Sequence, residues 1–194
     1  MNYLKALFHS AILLIAVSSL SSHAEISVGK PLPALQINED GELLLSSDNF
    51  SFAAWDSKVL GGDGSKPRVH TLQYVAGRQK ASDLNKPLTD TLAEMNFPLE
   101  KHLVTTIVNI DDAMWGTAGF VSAELESKKR LYKHSSIVAD KKGDGQKTWE
   151  LSKKNSAIAI VSSRGEVLFF KEGALNAKEI DTVLGIITEQ IGEL

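Results

Sequence analysis

Apolar residues fall into distinct patterns along this chain. The first is a run from Ala6 to Val17, interrupted by His9 and Ser10 and preceded by Lys5. A polar stretch, Ser18 to Ser21, leads from it to Ser22-His23-Ala24. A basic start, an apolar middle and small residues at a cleavage position form the pattern of a secretory leader, with cleavage between Ala24 and Glu25. The competing reading is an uncleaved anchor, but a spanning helix needs about 20 apolar residues and this run is far shorter. The leader reading divides the chain into a signal peptide over 1–24 and a mature part over 25–194. Its short length suggests a bacterial leader and a periplasmic destination, with no membrane association in the mature form.

Short period-two stretches come next. Gly29-Lys30-Pro31-Leu32-Pro33 favours an extended or turning chain, because proline fixes φ and restricts the residue before it. Ala34 to Ile37 and Glu42 to Leu45 read as short strands around Asn38-Glu39-Asp40-Gly41, a hairpin signal. Phe50 to Trp55 is another short apolar run, and Gly61-Gly62-Asp63-Gly64-Ser65-Lys66-Pro67 reads as a loop.

The pattern then alternates between strand and helix. Arg68 to Ala76 reads as a strand of buried type. Ser82 to Met95 has Leu84, Leu88, Leu92 and Met95 at helical spacing, with Pro87 either kinking the helix or lying near its start. Leu103 to Ile110 is β-rich, and Phe120 to Leu131 is a second helix bearing Val121 and Leu125. Ser136 to Ala139 reads as a short strand, Asp140 to Gly145 as a hairpin turn, and Trp149-Glu150-Leu151 as a minor strand. Ala157 to Val161 and Glu166 to Phe170 flank Ser162-Ser163-Arg164-Gly165 as a hairpin. A last helix runs from Ala177 to Ile191, with Asn176 and Glu179 spaced for a capping box. Alternating strands and helices imply parallel pairing by right-handed crossovers, and the terminal hairpin adds antiparallel strands. The order is that of an α/β, thioredoxin-like fold: one mixed sheet flanked by helices, a core over about 68–194, a β-rich N-terminal extension, and an insertion around 132–155.

Composition removes the chemistry that this order suggests. The chain contains no cysteine, so disulfides, thiol redox chemistry, thiolate nucleophiles and cysteine metal sites are all excluded. The net charge is −3, and loss of the leader removes only Lys5. That mild acidity argues against nucleic acid, which calls for a basic footprint. Lys128-Lys129-Arg130 suits the last turn of a helix, and Lys141-Lys142 lies in a turn.

Several segments together carry a resemblance: Leu72-Gln73-Tyr74-Val75-Ala76-Gly77-Arg78, Thr105-Thr106-Ile107-Val108-Asn109 with Asp111-Asp112-Ala113, and Lys171-Glu172-Gly173-Ala174-Leu175. With the leader, they resemble the YtfJ family of periplasmic proteins, within the thioredoxin-like superfamily. The resemblance spans essentially the whole mature chain and implies a fold and an address rather than an activity. Against the superfamily pattern, the redox motif would fall around Gly77 to Ser82, where no thiol stands. The segment facing it, Lys154-Asn155-Ser156-Ala157, lacks the proline of thioredoxin-like proteins, so a trans link is expected there.

The ends of parallel strands are where an open α/β sheet places ligands, and Ala76-Gly77-Arg78, Asn109 to Ala113 and Asn155-Ser156 should converge there. Gly77, Arg78, Asn109, Asp111, Asp112, Trp115, Asn155 and Ser156 are therefore the candidate binding residues. Arg78 either binds an anion or peptide end beside helix amides, or pairs with Asp111 or Asp112 while Gly77 permits a tight turn. Asp111-Asp112 either shares a proton or holds a cation, or else caps a helix or is solvated in a loop. Trp115 either anchors a partner or covers the core. Asp140 to Gly145 lacks the third and twelfth ligands of a calcium loop, with Lys142 and Leu151 in those places. His70, His102 and His134 lack zinc spacing, and His70 reads as a packed histidine. No nucleophile elbow or P-loop occurs. No catalytic residue, cofactor or metal is implied.

Two functional expectations follow. One is a binding or adaptor module without redox chemistry, working through the degenerate face on a periplasmic protein or small anionic ligand. The other is an enzyme of non-thiol chemistry using Arg78, Asp111, Asp112 or His70. A thiol oxidoreductase acting through a metal or a partner's thiols ranks below both.

Overall fold

The computed structural model describes residues 24–61, 67–114, 116 and 118–194. The segment expected as a leader, up to residue 23, the glycine-rich stretch 62–66, and residues 115 and 117 lie outside them. A seven-stranded mixed sheet forms the centre, in the order β2-β1-β5-β4-β3-β6-β7. Its strands are β1 (Gln36–Ser46), β2 (Asn49–Asp56), β3 (Val69–Ala76), β4 (His102–Asn109), β5 (Ser136–Asp140), β6 (Ser156–Val161) and β7 (Val167–Glu172). The helices are α1 (Gln79–Asp83), α2 (Lys86–Met95), α3 (Ala118–Leu131), α4 (Asp144–Thr148) and α5 (Ala177–Glu193). β3, β4 and β5 run parallel, while β6 is antiparallel to β3 and β1 to β5.

Alternation along the strands divides the core. On one face, Val69 of β3 and Ile158 and Ile160 of β6 pack against Leu88 and Leu92 of α2 and Val183 and Ile187 of α5. Further along that face, Ile137 and Ala139 of β5 pack with Leu125 of α3 and Leu43 of β1. The other face holds Leu72, Tyr74, Ile107 and Val138, covered by Ile26, Leu35, Trp55 and Trp149. The N-terminal extension thus acts as the lid of the second core layer. α5 opens with the expected capping box, Asn176 and Glu179 each accepting from the other's backbone amide.

Several expected elements take other forms. Asn38 to Gly41 is not a hairpin turn: β1 runs continuously through it with a register shift between Ile37 and Glu42. Asp40 and Gly41 adopt φ of 64° and 80°, a bulge that lets the strand continue. The hairpin lies further on, at Ser47-Asp48, whose φ values of 46° and 69° suit a two-residue turn. The helix expected over Ser82 to Met95 is two helices. Pro87 sits in the first turn of α2, where its missing N–H costs nothing, so a helix cannot run through it unbroken.

The region expected as an insertion supplies a full strand, β5, between β1 and β4. Asp140 to Gly145 is not a hairpin turn, because α4 starts within it. The buried Asp140 carboxylate accepts from the amides of Asp144 and Gly145, both at 2.8 Å, which nucleates that turn of helix. Trp149 is not in a strand but is the C-cap of α4. Its ring meets Tyr74 edge-on at 6.1 Å, and its Nε1 donates to Pro33 O at 3.0 Å.

Candidate functional site

β3 ends at Ala76, and its C-terminal end meets the predicted segments. Gly77 N donates to Asn109 O at 2.8 Å, and Ala76 N to Asn155 O at 3.0 Å. A Cβ at Gly77 would lie 2.9 Å from Asn109 O. Glycine is therefore required by the close approach of two backbones, not by a left-handed conformation.

Arg78 turns its guanidinium onto Asp112. Nε donates to Asp112 O at 2.6 Å, and Nη2 lies 3.2 Å from Oδ1. The second carboxylate oxygen accepts the backbone amide of Lys154, a residue held at φ 58°. Asp112 N in turn donates to Asn109 Oδ1 at 3.2 Å, and Asn109 Nδ2 donates to Gln146 Oε1 at 3.3 Å. The Arg78 side chain is 26% exposed and that of Asp112 8%. Of the two readings for Arg78, pairing with a nearby acid is the one observed. An anion does sit at the turn, and it is the chain's own.

The sequence-predicted residues therefore separate. Gly77, Arg78, Asn109, Asp112 and Asn155 come together. Asp111 is exposed in the adjoining turn and forms no ion pair among the described residues. Ser156 is buried and accepts from Asn85 Nδ2 at 3.3 Å. Asn85 also donates to Gly173 O and accepts from Leu175 N, so Ser156 belongs to a strut between α2 and the start of α5. Trp115 lies outside the described residues. His70 is buried in the sheet, its pKa lowered to about 4 by burial, then by the charges of Arg68 and His102. The groups named for non-thiol chemistry do not meet in a common cavity.

A second feature lies beside the closed turn. The two helical clusters leave a gap between α2 and α3 on one sheet face. The gap is a groove of about 800 Å³ running from Arg78 to the end of α3. This volume is within the usual range for sites that enclose small ligands. Its floor is made by residues of one parity on β3 and β4: Val75 beside Val108, Gln73 beside Thr106, and Val104. Leu92 and Phe97 form one wall, Val121 and Leu125 the other. Leu99, Met114, Leu131 and Tyr132 stand exposed along its rim. His102 closes one end with its ring edge-on to Phe97 at 5.4 Å, and burial lowers its pKa to about 4.

Sequence reasoning missed this groove. A signal was present: β3 reads as wholly buried, yet Thr71 and Gln73 interrupt it at alternate positions, and Thr106 does the same in β4. Polar residues repeated on one face of a buried strand mark a face that is not simply core.

Comparisons with known proteins identify the family and the fold. The family described as "Bacterial protein of unknown function (YtfJ_HI0045)" matches residues 26–190. The chain is 34% identical over 168 residues to the uncharacterized protein YtfJ of Escherichia coli K12, covering 87% of this chain and 89% of that one. It is 34% identical over 170 residues to an uncharacterized protein of Haemophilus influenzae, covering 88% and 89%. Among solved structures it is similar to the thioredoxin domain of a thiol-disulfide oxidoreductase from Bacteroides vulgatus. There the TM-score is 0.52 at 12% identity, over 84% of this chain and 99% of that one. A reduced 2-Cys peroxiredoxin of Plasmodium vivax gives 0.50 at 14% identity, over 84% and 94%. At such identities the likeness shows the thioredoxin-like fold alone.

Proposed function

Because this chain belongs to the YtfJ_HI0045 family, we propose that it is an exported periplasmic module that binds a partner without redox chemistry of its own. The observation that carries this reading is the pairing of a closed turn with an open groove. Where thioredoxin-like proteins would carry thiols, this chain has no cysteine and seals the turn with the Arg78–Asp112 pair. Immediately beside it, an apolar groove of about 800 Å³ is rimmed by exposed Leu99, Leu131 and Tyr132. Exposed apolar surface of this kind costs solubility and marks an interaction site. The reading favours an apolar partner over a small anionic ligand, since the Arg78 cation is already matched. Export rests on the leader pattern of residues 1–24, and a mature mass beginning at Glu25 in a periplasmic fraction tests it.

The binding reading is tested by photo-crosslinking in cells, with benzoylphenylalanine at Leu131, which is 73% exposed on the rim, or at Phe52, which is 45% exposed on β2. Discrete adducts from Leu131 that disappear with Val108→Trp, a substitution that fills the groove, are the expected result. Identical adducts from both positions, or adducts indifferent to Val108→Trp in a protein that still folds, overturn it.

A further inference from the structure

Gln73 is only 5% exposed, yet no hydrogen bond ties its side-chain amide to another described residue. It stands in register with Thr106 across the parallel β3–β4 pair, and both line the groove. The neighbouring polar pair on the same face behaves differently, for Thr71 Oγ1 and His102 Nε2 lie 2.9 Å apart. One polar pair on this face is satisfied within the fold and the other is left facing the groove. The side-chain atoms buried without a partner among the described residues are His70 Nδ1 and Thr105 Oγ1, so the Gln73 amide opens onto the groove itself, where a ligand can complete its hydrogen bonds.

The chemistry of the floor selects the ligand. A glutamine amide presents a donor and an acceptor side by side, and a threonine hydroxyl can serve as either. Together they match the C=O and N–H of a peptide group. A saturated hydrocarbon chain would leave both side chains unpaired, which a polar site rejects strongly. An anionic head group would find Arg78, Lys86 and Lys128 already paired with Asp112, Asp90 and Glu124, leaving Lys133 at the α3 end as a further cation. β3 and β4 are interior strands, so no free strand edge is available and recognition must come from side chains.

We propose that the groove binds a short, uncharged apolar peptide segment, with Gln73 and Thr106 hydrogen-bonding one of its peptide groups and the hydrocarbon walls taking its side chains. This rests on the groove being the binding surface and names its ligand class. The test is calorimetric titration of the mature chain with acetyl-Leu-Phe-Leu-amide and, separately, with dodecanoate. The wild type is compared with Gln73→Leu and Thr106→Val. The peptide binds the wild type, and each substitution weakens it about tenfold. Gln73→Leu melts no lower than the wild type, because it replaces a groove-facing amide that bonds nothing in the fold by an apolar side chain, so its lost affinity is not lost folding. Peptide affinity unchanged in both variants overturns the peptide assignment. So does dodecanoate binding that is tight and strengthened by Gln73→Leu, which gives the groove to an acyl chain. If neither probe binds the folded wild type, the groove reading itself fails.

Discussion

Arg78 and Asp112 close the end of β3 upon each other: Nη2 and Oδ1 lie 3.2 Å apart, and the same guanidinium holds Asp112 O at 2.6 Å. Asp112 also accepts the Lys154 amide, so one carboxylate joins the turn after β3, the turn after β4 and the segment before β6. Arg78→Ala leaves that carboxylate buried with one fewer partner and should cost about 2 kcal/mol. Asp112→Ala should cost a similar amount. The double variant should cost clearly less than the sum, measured as free energies from urea unfolding. Additive losses would mean that the pair is not a unit.

The Tyr74–Asp140 bond, 2.7 Å long, joins the core to the start of α4. Asp140 is fully buried and accepts from two amides as well, while Tyr74 Oη accepts from Gln146 N at 2.9 Å. Burial, with the negative charge of Asp140, raises the Tyr74 pKa, so the hydroxyl stays protonated and donates. Tyr74→Phe should cost about 1–3 kcal/mol. Asp140→Ala, which strands three donors, should cost about 3–5 kcal/mol. Urea unfolding reads both, and equal small losses would contradict the central role of the carboxylate.

These contacts show what the sequence could and could not disclose. The strand and helix order was legible, because apolar period changes cleanly at Ala76, at Leu103 and at Asn176. The convergence of Gly77, Arg78, Asn109 and Asn155 was legible too, since parallel strands bring their ends together. The bulge at Asp40-Gly41 was not, because a Gly preceded by Asp signals a turn whether the strand stops or continues. The start of α4 depends on Asp140, whose caps come from tertiary burial rather than local propensity. The groove was hidden for a different reason. It is a gap between helices, and no local pattern records how far apart α2 and α3 pack.

Gly41 tests the bulge directly. It combines φ of 80° with a position where a Cβ would lie 2.2 Å from Ala53 O. Gly41→Ala should destabilise by about 2 kcal/mol and disturb the β1–β2 pairing in amide-exchange spectra. A neutral effect would mean that the strand does not bulge there.

His70 and His102 predict an acid sensitivity. Both have pKa values lowered to about 4, chiefly by burial, so the folded state holds them neutral while the unfolded chain protonates them. Stability from this source is complete above about pH 6.5 and falls as pH drops toward the folded values, because the unfolded state then binds more protons. A loss of a few kcal/mol, on the order of 3 per histidine at most, should build up between about pH 6.5 and 4. Urea midpoints at pH 7 and pH 5 should differ in the wild type and nearly coincide in His70→Gln/His102→Gln. An equal pH dependence in both proteins would assign the effect elsewhere.

The account turns on where binding occurs: in the groove, with the thiol-less turn closed. Titrating the ¹⁵N-labelled chain over residues 25–194 with acetyl-Leu-Phe-Leu-amide and following every amide tests it most directly. The account predicts concentration-dependent shifts at Gln73, Val104, Thr106, Val108 and the Gln73 side-chain amide, with those shifts retained in Arg78→Ala. Shifts confined to residues 76–80 and 109–113, or none anywhere, would contradict it.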